Sequence, residues 1–419
     1  MEVSNVRNKS ESGTFPNGWE VKSIGDICHA VLDCHHSTPN WTESGYLVVR
    51  NQNIRDGKLD LSAPSFTDRR NFVERTRRAT PAFGDLIITR EAPMGLVCLV
   101  PEALECCLGQ RMVLLRPKRT EVVPSYLLYT LLGQSAQNAI AVGGGAGSTV
   151  SNLRIPVLKS IEISAPSLVE QTAIATALSD VDVLLDSLDR LIAKKRDLKQ
   201  AAMQQLLTGQ TRLPGFSGEW EVKRLGEIGE VSGSGVDKKT HPDETPVRLV
   251  NYMDVYRLGF IESGHLDHWV TARSDQLRRC SVDRGDVFFT PSSETRQDIA
   301  NSSVAMEDIA DAVYSYHVVR LRLKENWDLK YSAYAFKTRE FLNQAEKICD
   351  GGGTRYVISL GKFRVMTLPV PPIPEQEAIG KILFDMELEI KKLYGQREKT
   401  AALKQGMMQE LLTGRTRLV

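Results

Sequence analysis

The sequence predicts a mixed α/β (α+β) protein in which two tandem globular domains, each followed by a long helix, form a pseudo-two-fold internal repeat. The segment FPNGWEVKSIGDI at 15–27 returns as FSGEWEVKRLGEI at 216–228. A second segment begins at Glu170, returns in altered form at Glu375, and ends in LLTGxTRL both times. Because the repeated unit is as long as a whole domain, it indicates duplicated domains rather than a solenoid.

Composition excludes several classes of protein. The chain has 419 residues, 42% hydrophobic and 25% charged, as in ordinary globular proteins. It contains no apolar run of membrane-spanning length and no signal-peptide core, so we expect a cytoplasmic protein without a membrane partner. Seven cysteines without a C-x-x-C pair argue against disulfides or a zinc site. A net charge of +1 means that nucleic-acid binding would need positive charge on one face or from a partner.

The repeat places the domain boundaries. We predict a disordered tail at 1–14, a first domain at 15–165, a first long helix at 166–209, a linker at 210–215, a second domain at 216–372 and a second long helix at 373–414. Within each domain, short apolar segments recur in the same order, and Gly-Asp before such a run is typical of a turn that enters a buried strand. These segments are 46–54, 84–90 and 113–118 in the first copy, and 247–255, 285–290 and 319–324 in the second.

Both predicted helices carry a coiled-coil seam. From Ser167 to Thr208 there is no Pro or Gly, Ser167 and Glu170 form a capping-box pattern, and the length predicts a rod of about 60 Å. Apolar residues alternate in steps of four and three, which is the spacing of a coiled coil. The seam residues are Ile174, Leu178, Val181, Leu185, Leu188 and Ile192 in the first helix, and Ile379, Leu383, Met386, Ile390 and Leu393 in the second.

The charges of the two helices predict antiparallel pairing. Each helix is acidic in its first half and basic in its second half, with Asp182 and Lys199 as examples in the first and Glu387 and Lys399 in the second. An antiparallel pair brings acid against base at both ends, whereas a parallel pair would bring like charges together. The alternative is that the charges form ordinary solvated faces matched to the helix dipoles.

The chain shows no pattern of a catalytic site. A methyltransferase signature, a Walker A sequence, H-E-x-x-H and G-x-S-x-G are all absent, and His35-His36 is more typical of a surface pair than of a metal site. Glycine-rich segments at 143–149 and 351–355 lack the lysine of a P-loop. They fit loops that need positive φ, or loops whose backbone N–H groups contact a nucleic-acid phosphate. Two similar domains without catalytic groups favour a recognition protein with no catalytic and no metal-binding residues.

The ordered motifs resemble the specificity (S) subunit of Type I restriction-modification systems. They are the W-E-V-K-x-[IL]-G-[DE]-I starts, the Gly-Asp strands, the G-[SG]-T loops at Gly147 and Gly352, the Glu-Gln pairs at Glu170 and Glu375, and the LLTGxTRL endings. The resemblance covers both halves of the chain. It implies two target recognition domains that each bind half of a split, asymmetric double-stranded DNA target, and helices that set the gap and dock methyltransferase subunits.

The same resemblance implies the partners and cofactors. Two methyltransferase (M) subunits would bring S-adenosylmethionine, and restriction (R) subunits would bring ATP- and Mg-dependent translocation and cleavage, so we expect no cofactor in this chain. The family's motifs do not identify base-contacting residues, so we select these by chemistry, since Arg suits guanine and Asn or Gln suits adenine. The candidates are Arg50, Gln52, Asn53, Arg69, Arg70, Arg77, Arg78 and Arg90 in the first domain, and Asn251, Tyr252, Arg278, Arg279, Arg296, Gln297 and His317 in the second.

Other hypotheses stay open at this point. For each candidate a structural role is as plausible as DNA contact, although Arg77-Arg78 and Arg278-Arg279 precede the Gly-Asp turn in both copies and therefore fit phosphate anchors. A non-catalytic scaffold whose two domains bind protein would lack DNA affinity even with a methyltransferase present. An enzyme with an unrecognised site would need that site duplicated or formed between the copies.

Overall fold

The computed structural model describes residues 18–145, 152–233, 235–324 and 326–418. The chain divides into two compact units: unit 1 comprises Met1–Leu188 with Gln396–Val419, and unit 2 comprises Asp189–Gly395. Each long helix contributes to both units, whereas the sequence-based boundaries treated the helices as separate segments. The predicted tail at 1–14 and the motif glycine Gly147 lie outside the described residues.

The elements of unit 1 alternate short strands and short helices before the first long helix. The strands are β1 (Glu20–Ser23), β2 (Cys28–Asp33), β3 (Trp41–Thr42), β4 (Tyr46–Val49), β5 (Ile54–Arg55), β6 (Lys58–Leu59), β7 (Phe66–Thr67), β8 (Leu86–Thr89), β9 (Val97–Leu99), β10 (Cys106–Leu108), β11 (Met112–Pro117) and β12 (Glu162–Ala165). The helices are α1 (Ile24–Ile27), α2 (Arg69–Arg75), α3 (Pro124–Leu132), α4 (Gln134–Gly143), α5 (Ile155–Ser160) and the start of α6 (Leu168–Leu206).

Unit 2 repeats this order with additional strands. Its strands are β13 (Glu221–Arg224), β14 (Gly229–Ser232), β15 (Thr245–Val250), β16 (Phe260–Ile261), β17 (Trp269–Ala272), β18 (Ser281–Val282), β19 (Val287–Phe289), β20 (Ser292–Ser293), β21 (Ser302–Ala305), β22 (Ile309–Tyr314), β23 (Val319–Leu323), β24 (Asp350–Gly352), β25 (Arg355–Val357) and β26 (Thr367–Val370). Its helices are α7 (Leu225–Ile228), α8 (Tyr252–Arg257), α9 (Ser274–Arg279), α10 (Leu329–Ala335), α11 (Arg339–Ile348), α12 (Leu360–Val365) and the start of α13 (Ile373–Leu411).

The sheets of the two units correspond. Unit 1 has the orders β2-β11-β8-β9 and β10-β4-β7-β3, and unit 2 has β14-β23-β19-β21-β16 and β17-β15-β22-β18. The central strand pairs antiparallel in the same register in both, with Val113 opposite Ile88 and Val319 opposite Phe289. In each unit these fully or nearly fully buried residues pack with the helix that follows the central strand. The repeated sheet order confirms the predicted fold class.

The long helices pair in antiparallel fashion within each unit. In unit 1, Lys404 Nζ lies 2.7 Å from an oxygen of Asp182. In unit 2, Lys195 Nζ lies 2.7 Å from Glu389, and Lys199 pairs with Glu387. In both units a residue late in one helix meets a residue early in the other, as the distribution of charge predicts.

The seam residues lie on the inner side of these pairs. Ile174 and Leu178 are fully buried in unit 1, and Ile379 and Leu383 are buried in unit 2. The remaining seam positions are buried or half-buried; they are Val181, Leu185, Leu188, Ile192, Met386, Ile390 and Leu393.

Two helix features differ from the sequence-based expectation. The hydroxyl of Ser167 accepts the N–H of Glu170 at 3.3 Å, but the Glu170 carboxylate accepts from Arg417 instead of closing the capping box. Gly380 lies where a side chain cannot fit, because an added Cβ would lie 2.6 Å from the backbone N of Tyr331. The glycine therefore allows α10 to approach α13 closely.

Candidate nucleic-acid interface

One turn in each unit carries dissimilar polar and aromatic residues on a shared scaffold. It leads into the central strand, which is β11 in unit 1 and β23 in unit 2. In unit 1 this entry turn holds Gln110 and Arg111, and in unit 2 it holds Tyr316 and His317. Because the strands that follow match in register, the two residue pairs occupy equivalent positions.

In unit 1 the half-buried carboxylate of Asp33 organises the surroundings of the entry turn. Asp33, at the end of β2, pairs with the guanidinium of Arg90, and His36 Nε2 lies 3.1 Å from the same carboxylate oxygen. Arg90 Nε also donates to the side chain of Asn152 at 3.2 Å. The other carboxylate oxygen of Asp33 is buried and has no hydrogen-bond partner among the described residues. The network therefore fixes β2 against the loop that follows β8.

Both entry-turn side chains of unit 1 bind neighbouring residues of unit 1. Gln110 Nε2 donates to the carbonyl oxygen of His36 at 2.7 Å. Arg111 has a φ of 71° and places Nε 2.9 Å from the carboxylate of Glu91. The Arg111 side chain nevertheless stays 54% exposed, so its remaining N–H groups can reach an external acceptor.

In unit 2 the entry turn rests on a closely packed backbone platform. Tyr316 N donates to the carbonyl of Val236 at 3.0 Å, and Ser315 N donates to Val250 at 3.0 Å. A Cβ on Gly235 would lie 2.2 Å from the carbonyl carbon of Ser315, so this approach requires glycine. On this platform the rings of Tyr316 and His317 lie against each other with centroids 3.9 Å apart and planes tilted by 38°.

Two cations act electrostatically on the histidine of this tilted pair. Partial burial lowers the pKa of His317, and the positive charges of Lys238 and Arg355 lower it further. At neutral pH the imidazole is therefore uncharged and offers one donor and one acceptor. Within the described part of unit 2, neither Lys238 nor Arg355 has an ion-pair partner, and both side chains are exposed.

Next to Arg355 lies a second aromatic pair. Tyr252 and Tyr256 stack with centroids 6.1 Å apart, and they line a cavity of about 470 Å³ together with Ser292, Thr354 and Arg355. Tyr252 donates its hydroxyl to the Ser292 carbonyl at 2.7 Å. Aromatic faces beside unpaired cations are a combination that suits nucleic acid.

The candidates of the first domain separate into buried and exposed residues. Asn53 is 1% exposed and donates to the carbonyls of Asp60 and Ala63, so the structure corrects its assignment: it organises its loop and cannot reach a base. Arg90 is likewise committed to Asp33 and Asn152. Gln52, Arg69, Arg70, Arg77 and Arg78 are exposed, and Arg50 is half-exposed with its guanidinium 4.9 Å from the ring centroid of Trp41.

The second domain shows the same division. Asn251 is largely buried at the start of α8, where its side-chain amide donates to the Leu249 carbonyl and its backbone N–H donates to Asp254 at 2.8 Å, so it has a structural role there. Arg296 donates to the carbonyl of Cys349 at 3.5 Å and lies 4.9 Å from the ring centroid of Tyr356, so it is a clamp rather than a base reader. The remaining candidates are exposed or half-exposed and stay predictions; they are Tyr252, Arg278, Arg279, Gln297 and His317.

Selection by residue type missed most of the entry-turn surface. Gln110, Arg111 and Tyr316 were not selected, nor were Lys238 and Arg355. A usable signal was present, because aligning the two copies on their central strands places unlike residues directly before like strands. Divergence next to a constant scaffold marks a position that is free to specialise.

The described residues contain no group of three or more His, Cys, Asp or Glu side chains that could hold a metal ion. All seven cysteines are buried, and burial raises the pKa of Cys28, Cys98 and Cys106 to about 12. Thiols with such pKa values are poor nucleophiles at neutral pH. Among the described helices, none is both long and apolar enough to cross a membrane.

Comparison with known proteins identifies relatives of both halves. A family model described as the Type I restriction modification DNA specificity domain matches twice, at residues 16–194 and 217–399. The chain is 24% identical to the type I restriction enzyme StySPI specificity subunit of Salmonella potsdam, over 88% of this chain and 81% of the relative. It is 23% identical to the MjaVIII specificity subunit of Methanocaldococcus jannaschii, over 96% of this chain and 94% of the relative.

A solved structure shares the fold. The S subunit of a Type I restriction-modification system from M. genitalium matches with a TM-score of 0.57 and 17% identity, over 96% of this chain and 98% of that one. At this identity the likeness bears on the arrangement of elements alone. The two regions that the family model matches include both entry turns and most of both long helices.

Proposed function

This chain belongs to the family of Type I restriction-modification DNA specificity subunits, and from that premise we propose that each unit binds one half of a bipartite, asymmetric DNA target. The observation that supports this most directly is the pair of entry turns. Their scaffolds match, whereas Gln110 and Arg111 differ in chemistry from Tyr316 and His317. Domains that present different donors, acceptors and rings should select different base pairs.

The long helices serve in this proposal as a spacer and as the methyltransferase docking surface. Thirty-nine residues in each of α6 and α13 make rods of about 60 Å. Outside the seam, apolar side chains stay exposed: Val183 and Leu403 in unit 1 are 59% and 60% exposed, and Leu198 and Leu388 in unit 2 are 48% and 49% exposed. Exposed apolar residues on a helix suit a partner helix.

Catalysis and cofactors belong to partner subunits in this proposal. Two methyltransferase subunits would supply S-adenosylmethionine, and restriction subunits would supply ATP and Mg. The absence of a catalytic motif in the sequence supports this division of labour.

The first test is single-molecule sequencing of adenine methylation in cells that express this chain with its methyltransferase subunits, against a matched strain without this chain. We expect a split, asymmetric motif that disappears with the deletion. Exchanging residues 15–165 for another recognition domain should then change one half of the motif and leave the other. A motif that persists without the chain would contradict the proposal, and a change of both halves would contradict its modular form.

The spacer role has a separate test. Inserting one helical turn into both α6 and α13 should lengthen or abolish the methylated motif's central gap while both half-sites keep their bases. An unchanged gap would show that the helices do not set the spacing.

A further inference from the structure

Unit 2 carries a β-hairpin with several glycines, and the fold requires glycine at some of these positions but not at others. Strands β24 and β25 pair antiparallel around Gly353 and Thr354, and β25 also pairs with β20. Gly351 has a φ of 118°, and an added Cβ would lie 2.2 Å from the carbonyl oxygen of Arg355. Glycine at that position is therefore a requirement of the hairpin itself.

Gly352 has no such requirement. Its φ lies outside the left-handed range, and no atom lies within 4 Å of an added Cβ. A glycine within a strand weakens the strand, because it adds backbone entropy and buries nothing. No contact within unit 2 therefore requires glycine at this exposed position, and its bare backbone leaves room for an external group to approach closely.

The hairpin is held rigidly at its base. Lys362 Nζ donates to Asp350 at 2.5 Å and to the Ile348 carbonyl at 2.7 Å. The guanidinium of Arg296 packs 4.9 Å from the ring centroid of Tyr356. A ribbon ordered in advance loses little conformational entropy on binding, which suits it to precise recognition.

Arg355 follows the tip of this ribbon. Its exposed side chain has no hydrogen-bond or ion-pair partner among the described residues of unit 2, and its charge reaches His317 in the entry turn. The five N–H donors of an unpaired guanidinium match the O6 and N7 acceptors of guanine in the major groove, which admits a two-stranded ribbon.

We propose that the hairpin enters the major groove, with the backbone at Gly352 against the DNA and Arg355 bound to a guanine in the half-site of unit 2. This inference rests on the proposed function, because it assigns a base and a residue to one of the two half-sites. It makes Arg355 a specificity-determining residue. Tyr316 and His317 would then face the base pairs next to that guanine.

The test compares adenine-methylation motifs for the full complex with wild-type chain, Arg355→Ala and Arg355→Lys. We expect Arg355→Ala to relax one G·C position of one half-site, with about 5- to 150-fold loss of discrimination there, and to leave the other half-site unchanged. Arg355→Lys should recover part of the selectivity, since lysine reaches guanine without the bidentate geometry. Because Arg355 is exposed, the melting temperatures of these variants should match that of wild type.

Three outcomes would overturn the inference. Unchanged motifs in both half-sites would exclude base contact by Arg355. Weaker methylation with every base preference retained would make Arg355 a phosphate contact. A wild-type complex that yields no split motif would remove the proposed function itself, and the inference with it.

A second test examines whether DNA approaches the backbone of Gly352, and it has a matched control variant. Gly352→Ala should reduce methylation of the target at least several-fold without lowering the melting temperature. Gly264→Ala makes the same change at another unit 2 glycine with no atom within 4 Å, and should leave methylation unchanged. Equal methylation by the two variants would exclude close contact at Gly352.

Discussion

The two entry turns occupy equivalent positions in their units but have opposite electrostatic arrangements. In unit 1 the polar groups bind each other: Arg90 and His36 share the Asp33 carboxylate, and Arg111 pairs with Glu91. In unit 2, Lys238 and Arg355 have no ion-pair partner among the described residues, and their charges act on the histidine of a tilted aromatic pair. The strands that follow match in register, although Arg111 has a positive φ of 71° and the equivalent His317 does not. The difference shows that a duplicated domain can change its recognition chemistry without changing its core.

This contrast has a physical consequence for binding. A side chain already in an ion pair must share or give up that partner to contact DNA, so it gains little net free energy but keeps a fixed geometry. An unpaired exposed cation loses only hydration and releases counterions from the phosphates. We therefore expect the entry turn of unit 2 to supply more salt-dependent affinity than the entry turn of unit 1, which should depend more on geometry.

The largest expected effect tests whether the two units are also unequal in stability. The Glu375 carboxylate of unit 2 is 1% exposed and accepts from Arg212 Nε at 2.7 Å and from the Trp220 indole at 2.9 Å. In unit 1 the equivalent Glu170 accepts from Arg417, while the indole N–H of Trp19 has no partner among the described residues. Glu375→Ala should destabilise its unit by about 2–3 kcal/mol, because it removes the acceptor and leaves the Arg212 guanidinium and the Trp220 indole N–H without their partner.

Differential scanning calorimetry measures this difference. The matched variant is Glu170→Ala in unit 1. It should lower the transition temperature of unit 1 by less than Glu375→Ala lowers that of unit 2, because no indole hydrogen bond is lost. The transition temperature of Glu375→Gln should lie between those of Glu375→Ala and wild type. Equal losses for the two alanine variants would show that the indole contact contributes nothing.

The next effect concerns the division of specificity between the entry turns. Arg111→Ala should alter the preference at the half-site of unit 1, and Tyr316→Ala at the half-site of unit 2, each by about 1–3 kcal/mol of discrimination. Binding competition between duplexes with single base-pair changes would measure both. If either variant altered the two half-sites together, the turns would not act independently.

A smaller effect concerns Lys337 in unit 2, which occupies the position of Leu132 in unit 1. Burial lowers the pKa of Lys337 to about 8, the nearby charge of Lys199 lowers it too, and Glu387 opposes them. Because the folded pKa lies below the unfolded one, the unfolded chain binds more protons between about pH 8 and 10.5, and stability should rise with pH there.

Lys337→Leu copies the residue of unit 1 and should therefore stabilise unit 2 at pH 7 by about 1–2 kcal/mol. It should also remove this part of the pH dependence. Thermal denaturation at pH 7, 8.5 and 10 would measure it, with Leu132→Lys in unit 1 as the reverse exchange. A variant that parallels wild type at every pH would show that Lys337 is charged and solvated throughout.

The smallest effect concerns the exposed arginines at the end of α9. Arg278→Gln should lower the slope of log affinity against log salt by about 0.9 if it removes one phosphate contact, without changing base preference. Arg273→Gln removes an exposed arginine that already pairs with Asp275 at 3.2 Å, and should change the slope less. A changed base preference in Arg278→Gln would instead indicate base contact.

The sequence allowed the scaffold to be predicted in detail, because regular structure depends on local periodicity. Alternating apolar steps located the seam from Ile174 to Ile192, and the acid-to-base order along each helix predicted antiparallel pairing. The Gly-Asp turns located β8 and β19. Recognition residues were harder, because residue type does not reveal exposure. Asn53 and Arg90 have the chemistry of base readers, but Asn53 is occupied by carbonyls of its own loop and Arg90 by Asp33 and Asn152 from distant segments.

The sequence by itself determined the duplication, the long helices and the family, because each is written in local patterns that occur twice. Only the tertiary structure decided which polar groups are free. Asp33 neutralises Arg90 across β2 and β8, and Arg296 clamps the hairpin that carries Arg355. Such pairings join residues far apart in the chain, and their free energy depends on burial and distance, which no local pattern specifies.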